Sequence, residues 1–247
     1  MIKSFLETLS FLTILPIGKY SKSKDLENTA HFMYIFPLIG IIIGLLSLPI
    51  LLLSFNFFNS LITGFLTTIF FIIVTGVHHT DALADFSDGL MVKGNKEKKY
   101  QVIHDPRIGS AGAIGLISYS IGMIIIISSF TDLSKLIYAI LIAEVVAKYA
   151  MVVQAYIGKS AWEGYSSLFT KNMKFKKKII SSTLIAIFLV IMVGPTNYFI
   201  GGKMFITGII TSIILTYISN KSFGGITGDT MGATNEITRL CCLIAAL

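Results

Sequence analysis

Three aspartates stand close together between residues 78 and 89 of the 247-residue chain. Asp81, Asp85 and Asp88 are spaced i, i+4 and i+7, so on a helix their carboxylates share one face. Such a face beside a membrane is costly unless a cation neutralises it, and hard oxygen ligands suit Mg²⁺ that is shared with substrate phosphates. The spacing therefore predicts a magnesium site, with a solvated acidic cap on a helix as the plainer alternative.

A second polar segment, residues 224–233, contains four glycines. A glycine-rich turn that leads into a helix can hold a phosphate with its backbone N–H groups, which makes Gly225, Thr227 and Gly228 candidate phosphate contacts. Asp229 is either a further metal ligand or the cap of that helix. Glu236 follows seven residues later on the same helical face and is a candidate substrate contact.

Basic residues supply two more candidates for phosphate binding. Arg107 has the planar, permanently charged group that suits phosphate, although a basic residue at the start of a span also serves as a membrane anchor. Lys148 lies four residues after Glu144 within an apolar stretch, where the two charges can neutralise each other or serve a function. The four histidines and two cysteines show no spacing typical of a zinc site.

The elements that must position these residues are apolar. Hydrophobic residues make up 54% of the chain and charged residues only 13%, whereas soluble domains contain about 25% charged residues. This composition excludes a single soluble core, a disordered chain and a disulfide scaffold. It predicts a multi-span membrane protein, in which the net charge of +7 reflects membrane orientation rather than nucleic-acid binding.

Charge-free stretches predict where the chain crosses the bilayer, because a span needs about 20 residues. We predict an all-α, polytopic integral membrane helical bundle of about six to seven transmembrane helices. An N-terminal interfacial helix occupies residues 1–15, and residues 1–247 form one domain. The six spans lie at residues 32–77 (two spans), 108–131, 133–157, 179–194 (ended by Pro195) and 204–219. Residues 230–247 form either a seventh span or a helix that enters only partway.

The distribution of basic residues predicts the orientation. The loops on one side of these spans, together with both chain ends, carry every Lys and Arg except Lys135, Lys148 and Lys203. The positive-inside rule makes that side cytoplasmic. The aspartates and the glycine-rich segment lie on the same side, so we expect a multi-pass protein of the cell membrane whose active site faces the cytoplasm.

The order and spacing of several motifs resemble the cobalamin synthase family, whose members are adenosylcobinamide-GDP ribazoletransferases. The motifs cover nearly the whole chain and lie at residues 11–16, 36–40, 79–85 with 88–89, 105–109, 163–164 and 224–233. The chain departs from the family pattern at Thr80 and Ala82, where Leu and Gly are usual, and at Lys148, where an arginine is expected. None of these changes removes a carboxylate.

The resemblance implies a late, Mg²⁺-dependent step of cobalamin biosynthesis. Adenosylcobinamide-GDP would be joined to α-ribazole or its 5′-phosphate, with release of GMP. The three aspartates and Asp229 would hold Mg²⁺, Arg107 would hold phosphate, and His79 would accept a proton, with Asp81 as the alternative. The expected partners are these substrates and the lipid bilayer but no nucleic acid, and a homo-oligomer is allowed without being required.

Two other classes of protein fit parts of the pattern. A CDP-alcohol phosphotransferase shares the D-x-x-D-G opening at residues 85–89, but its further D-x-x-x-D pair is missing downstream. Release of CMP from a CDP-alcohol would favour that class. A transporter could use Glu144 and Lys148 as a coupling pair, but transporters often have related halves and midplane sites. Here the polar residues cluster at one face, and solute flux in sealed proteoliposomes would be needed to favour transport.

Overall fold

The computed structural model describes residues 2–15, 17, 26–194 and 198–247. Within these ranges the regular secondary structure is helical, apart from an isolated β-type pairing between Ser160 and Ile226. The helices are α1 (Ile2–Leu12), α2 (Leu26–His31), α3 (Phe36–Phe57, after a 3-10 turn at Met33–Ile35), α4 (Ser60–Val74), α5 (His78–Met91), α6 (Lys96–Ile103), α7 (Ser110–Ser128), α8 (Leu133–Ile157), α9 (Tyr165–Met173), α10 (Lys176–Val193), α11 (Tyr198–Phe223) and α12 (Gly228–Ala246). The all-α fold expected from the sequence is confirmed.

Four helices in the described part of the chain are long and apolar enough to cross a membrane: α3 with its preceding turn, α7, α8 and α11. The number becomes five if α4 and α5, which meet at 91°, are taken as one broken span. Helix α4 alone has only 15 residues, and α10 and α12 each carry three charged residues. A membrane bundle is therefore confirmed, whereas the predicted number of six to seven spans exceeds what these criteria support.

Two predicted features fall outside the described residues. One is most of the loop between the interfacial helix and the first span, from residue 18 to residue 25, and the other is Pro195, the predicted end of the fifth span. Helix α1 is present where the interfacial helix was expected. It buries Leu9 and Leu12 and packs against α2 and α3.

Helix α8 runs through the centre of the bundle, and 89% of its most apolar stretch is buried. It packs against α3, α10, α11 and α12. The approach to α3 is close at Gly40, where an added Cβ atom would collide with the carbonyl oxygen of Glu144. The outer faces of α4, α7 and α10 instead expose large apolar side chains such as Phe65, Ile121 and Phe188. Exposed apolar surface of this extent suits contact with lipid.

The polar helix α5 leaves α4 through Gly76 and Val77, which both have a φ of 66°. A positive φ is unfavourable for a β-branched residue such as valine, so the bend persists only because the surrounding structure holds it. Helix α5 then packs against α12 and α7. Because α5 is polar and turns away from α4 at 91°, we treat it as lying at the end of the bundle and outside the membrane-spanning helices.

Candidate functional site

Four acidic side chains of α5 and α12 lie close enough together that the charges of Asp81, Asp88 and Asp229 act on Asp85, and we call these four the carboxylate cluster. The two helices approach closely because Gly232 of α12 has no side chain, and an added Cβ atom there would lie 2.5 Å from the Cβ atom of Ala82. Burial raises the pKa of Asp85 to about 7, and the charges of the other three carboxylates act in the same direction. Near neutral pH the cluster therefore favours the binding of a proton or a cation.

The donor chemistry of the cluster fits Mg²⁺ that is shared with a substrate. Mg²⁺ usually keeps several waters and binds through one or two carboxylates plus substrate phosphates. In the part of the chain that the structure describes, no three His, Cys, Asp or Glu side chains already converge as a metal site. Asp81 is exposed, and Asp85 and Asp229 are partly exposed. Their carboxylate oxygens are therefore accessible to a hydrated ion, and the magnesium assignment stays a prediction.

Asp88 has a second task within the fold. Its two carboxylate oxygens accept hydrogen bonds from the backbone N–H groups of Gly109 (2.7 Å) and Gly112 (2.8 Å) at the start of α7. A helix N-terminus favours a negative charge, so this contact ties α5 to α7. A Cβ atom at either position would collide with the Asp88 carboxylate, which explains why both positions are occupied by glycine. Each carboxylate oxygen retains a further lone pair with which it could bind a metal.

The glycine-rich segment connects α11 to α12. Thr227, rather than Asp229, caps α12, because its hydroxyl accepts a 3.0 Å hydrogen bond from the backbone N–H three residues later. Gly225 packs against the loop between α8 and α9, where an added Cβ atom would lie 2.5 Å from the carbonyl oxygen of Lys159. Gly228 has open space around it. A phosphate can therefore approach the backbone at Gly228 more readily than at Gly225.

Arg107 lies on the surface loop between α6 and α7, with 86% of its side chain exposed. Asp105 accepts hydrogen bonds from its Nε (2.9 Å) and Nη2 (2.7 Å) atoms. These bonds lower the pKa of Asp105 to about 2. A planar guanidinium that is exposed and paired with a surface carboxylate can exchange that partner for a phosphate.

His104 is a site residue to which the sequence interpretation gave no role. It lies close enough to interact electrostatically with both Asp85 and Asp229, which places it beside the carboxylate cluster. Its ring stacks on Tyr100 with 4.2 Å between the ring centroids, and its Nδ1 atom lies 2.8 Å from the Tyr100 carbonyl oxygen. In the sequence, the feature that could have pointed to His104 is its position directly before the motif at residues 105–109.

A second charged group, the interior network, is buried in the bundle: Glu144, Lys148, Glu236 and Arg239. The Arg239 guanidinium bonds to both glutamates and donates to the Tyr119 hydroxyl at 2.8 Å. Lys148 donates to Asn235 Oδ1 at 2.6 Å. None of the four charged residues is more than 1% exposed. Lys148 and Glu236, which the sequence proposed as substrate contacts, therefore balance charges in the interior, and their substrate role stays a prediction.

His79 connects the interior network to α5. Because Lys148 can only donate, Asn235 must turn its oxygen to Lys148, and its Nδ2 group faces His79. This Nδ2 atom lies 3.3 Å from Nδ1 of His79, which is therefore the unprotonated nitrogen. Burial lowers the pKa of His79 and favours the neutral ring, whose proton is then on Nε2. His79 thus offers a donor at Nε2, and this favours Asp81 as the proton acceptor.

The fold and this site define a helical membrane protein with a cluster of carboxylates between α5 and α12. The family model for cobalamin-5-phosphate synthase matches residues 4–247. The chain belongs to the cobalamin-5-phosphate synthase family and is accordingly a transferase of cobalamin biosynthesis.

Similar proteins named adenosylcobinamide-GDP ribazoletransferase support the same conclusion. The one from Methanococcoides burtonii is 33% identical over 96% of this chain and 89% of its own length. The one from Clostridium tetani is 31% identical over 98% and 95%, respectively, and the one from Pyrococcus abyssi is 29% identical over 96% and 94%. No solved structure matches the chain. The family resemblance of the sequence motifs is therefore confirmed over nearly the full length.

Proposed function

We propose that this enzyme joins adenosylcobinamide-GDP to α-ribazole or its 5′-phosphate and releases GMP. Similarity over nearly the full length to relatives that bear the name of this reaction supports the proposal. The structural observation that carries it is the carboxylate cluster, with the raised pKa of Asp85. A diphosphate substrate needs its charge neutralised during transfer, and a cation bound by carboxylates is the usual solution.

In the proposed reaction the ribose 3′-hydroxyl of the acceptor attacks the phosphorus attached to the cobinamide arm. The bond from that phosphorus to the GMP phosphate breaks, and GMP leaves. Mg²⁺, when bound, supplies neutralisation of the diphosphate charge, and Asp85 and Asp229 are the residues best placed to hold it. Arg107 and the open backbone at Gly228 hold phosphate oxygens in line for attack, and Asp81 accepts the hydroxyl proton.

The direct test uses the purified protein with adenosylcobinamide-GDP, Mg²⁺ and either α-ribazole or its 5′-phosphate. We expect GMP and a joined corrinoid product in equal amounts, and no turnover in excess chelator. GMP without the corrinoid product would indicate hydrolysis and contradict the proposal. Full activity in chelator would contradict the magnesium role alone.

We also propose that the carboxylate cluster faces the cytoplasm, because the basic residues concentrate on its side of the spans. The variants Lys98→Cys, Lys177→Cys and Thr131→Cys, each made in a chain lacking Cys241 and Cys242, test this orientation at exposed positions. We expect a membrane-impermeant thiol reagent to label positions 98 and 177 only from the cytoplasmic side, and position 131 only from the other side. Labelling of positions 98 and 177 from opposite sides would overturn the topology.

A further inference from the structure

A cleft of about 400 Å³ opens between α9 and the loop that precedes it. We call it the Trp162 cleft, and the lining residues that matter here are Lys159, Ser160, Trp162, Glu163, Lys171 and Lys174. Its volume lies within the range of sites that hold small molecules, about 300–1,000 Å³. None of these residues belongs to the carboxylate cluster, and the proposed reaction gives them no role.

The Trp162 cleft is positively charged. Its lining contains three lysines and one glutamate, so three positive charges and one negative charge leave +2. Lys171 lies 3.9 Å from Glu163, but both side chains are mostly exposed, so water weakens the pair. Lys174 donates to the carbonyl oxygens of Tyr156 (2.7 Å) and Gly158 (2.6 Å), which fixes its ammonium and leaves a third N–H for a ligand. The cleft therefore favours an anion.

The Trp162 cleft also lies next to the carboxylate cluster. The carbonyl oxygen of Lys159 accepts a 2.7 Å hydrogen bond from the backbone N–H of Ile226, three residues before Asp229. The Trp162 ring lies 6.0 Å, between centroids, from the ring of His104, which lies close enough to Asp229 to interact with it. An anion held in the cleft is therefore a neighbour of the proposed reaction centre.

We propose that the Trp162 cleft binds a phosphate monoester, namely the 5′-phosphate of the nucleoside acceptor. This inference rests on the proposed function, which leaves open whether the acceptor is phosphorylated. A phosphate monoester carries about −1.5 to −2 charges at pH 7 and three acceptor oxygens, which match a cleft of charge +2 with ammonium donors. The neighbouring carboxylate cluster repels such a dianion, so the acceptor phosphate and the metal-bound diphosphate occupy separate sites.

Direct binding can be measured without turnover, because Trp162 is the single tryptophan of the chain and its fluorescence reports on this cleft. For the protein in uncharged detergent, we expect ribose 5-phosphate to change the fluorescence saturably and ribose to have no effect. The double variant Lys159→Gln/Lys171→Gln should bind ribose 5-phosphate about tenfold more weakly or worse, since it loses charged hydrogen bonds. Lys177→Gln removes a nearby charge outside the cleft and should leave binding unchanged. An equal effect in both variants, or no saturable response in the wild type, would overturn the proposal.

The kinetic test compares two acceptors in the same reaction. In Lys159→Gln/Lys171→Gln, the ratio of kcat/KM for α-ribazole 5′-phosphate to kcat/KM for α-ribazole should fall about tenfold or more, whereas Lys177→Gln should keep it. An unchanged ratio in the double variant would overturn the proposal. If the wild type releases no GMP with either acceptor, the proposed function fails, and the fluorescence titration still decides whether the cleft binds a phosphate monoester.

An anionic lipid headgroup would offer the cleft the same chemistry. The fluorescence titration is therefore repeated in nanodiscs of phosphatidylcholine alone and in nanodiscs that also contain phosphatidate. We expect the response to ribose 5-phosphate in both. Loss of the response only with phosphatidate would show that the cleft binds a lipid headgroup and would reject the acceptor phosphate as its ligand.

Discussion

Asp85→Asn is expected to lower turnover by orders of magnitude while the protein stays folded and membrane-inserted. The substitution is nearly isosteric and removes an ionisable carboxylate whose pKa is raised to about 7 by burial and, to a smaller extent, by the charges of the other three carboxylates. If the cluster were only a solvated acidic cap, the change would relieve repulsion and cost little. If the cluster holds a metal ion on the diphosphate, the loss of a ligand removes charge neutralisation where the transition state needs it. GMP release across a Mg²⁺ titration measures the difference.

The matched control is Asp132→Asn. Asp132 caps α8 by accepting a 2.9 Å hydrogen bond from the backbone N–H of Lys135, and Asn is an equally good cap. We expect near-wild-type turnover in this variant. Near-wild-type turnover in Asp85→Asn as well would defeat the proposed role of the carboxylate cluster.

The same carboxylate gives the Mg²⁺ requirement a pH dependence. Mg²⁺ binds the ionised form, so it competes with the proton on Asp85, whose pKa without metal is about 7. The Mg²⁺ concentration for half-maximal turnover should therefore fall as the pH rises from about 6 to about 8, by up to about tenfold per pH unit below the pKa. A half-saturating concentration that does not change across this range would exclude Asp85 as the titrating ligand.

The parts of the fold that the sequence predicts well are those set by local pattern. The apolar stretches predict the long helices, and the i, i+4, i+7 spacing places the aspartates on one helix, α5. The number of spans is less predictable, because α4 is short and α5 turns away from it at 91°. No local pattern signals a bend made by a left-handed Val77.

The contacts that depend on distant residues could not be read from the sequence. Arg239 pairs with Glu144 across 95 positions of the chain, so Glu144 and Lys148 resemble a local i, i+4 pair until the fold brings Arg239 between the helices. In the same way, Asp88 of α5 caps the N-terminus of α7. The reason for glycine at positions 109 and 112 is therefore visible only in the folded structure, where the two helices are in contact. Asp229 fitted a helix cap by residue type, but Thr227 takes that place.

The interior network leads to the second large effect, on stability. Two glutamates, Lys148 and Arg239 sum to zero charge inside the bundle, and all four are at most 1% exposed. Arg239→Met removes one positive charge and leaves Glu144 and Glu236 facing each other without the guanidinium that bonds both. Breaking a buried pair in this way costs about 3–5 kcal/mol, because a buried charge is left uncompensated. Unfolding in detergent can be followed in a Cys241→Ser background with a thiol-reactive dye, since Cys242 is fully buried and reacts only on unfolding.

A double variant separates charge balance from the loss of packing. Glu144→Gln combined with Arg239→Met removes one charge of each sign, so the remaining Glu236 and Lys148 again sum to zero. We expect the double variant to be more stable than Arg239→Met alone by about 1 kcal/mol or more, which is the size of coupling found between contacting charged residues. Lys203→Met, which removes an exposed lysine that is not part of the network, should change the free energy of unfolding by no more than about 0.5 kcal/mol. The single variant Glu144→Gln completes the comparison. If the loss of stability in the double variant equals the sum of the losses in Glu144→Gln and Arg239→Met, the four charges do not act as one balanced unit. Arg239 then stabilises the bundle only through its contacts with Tyr119 and the ring of Phe71.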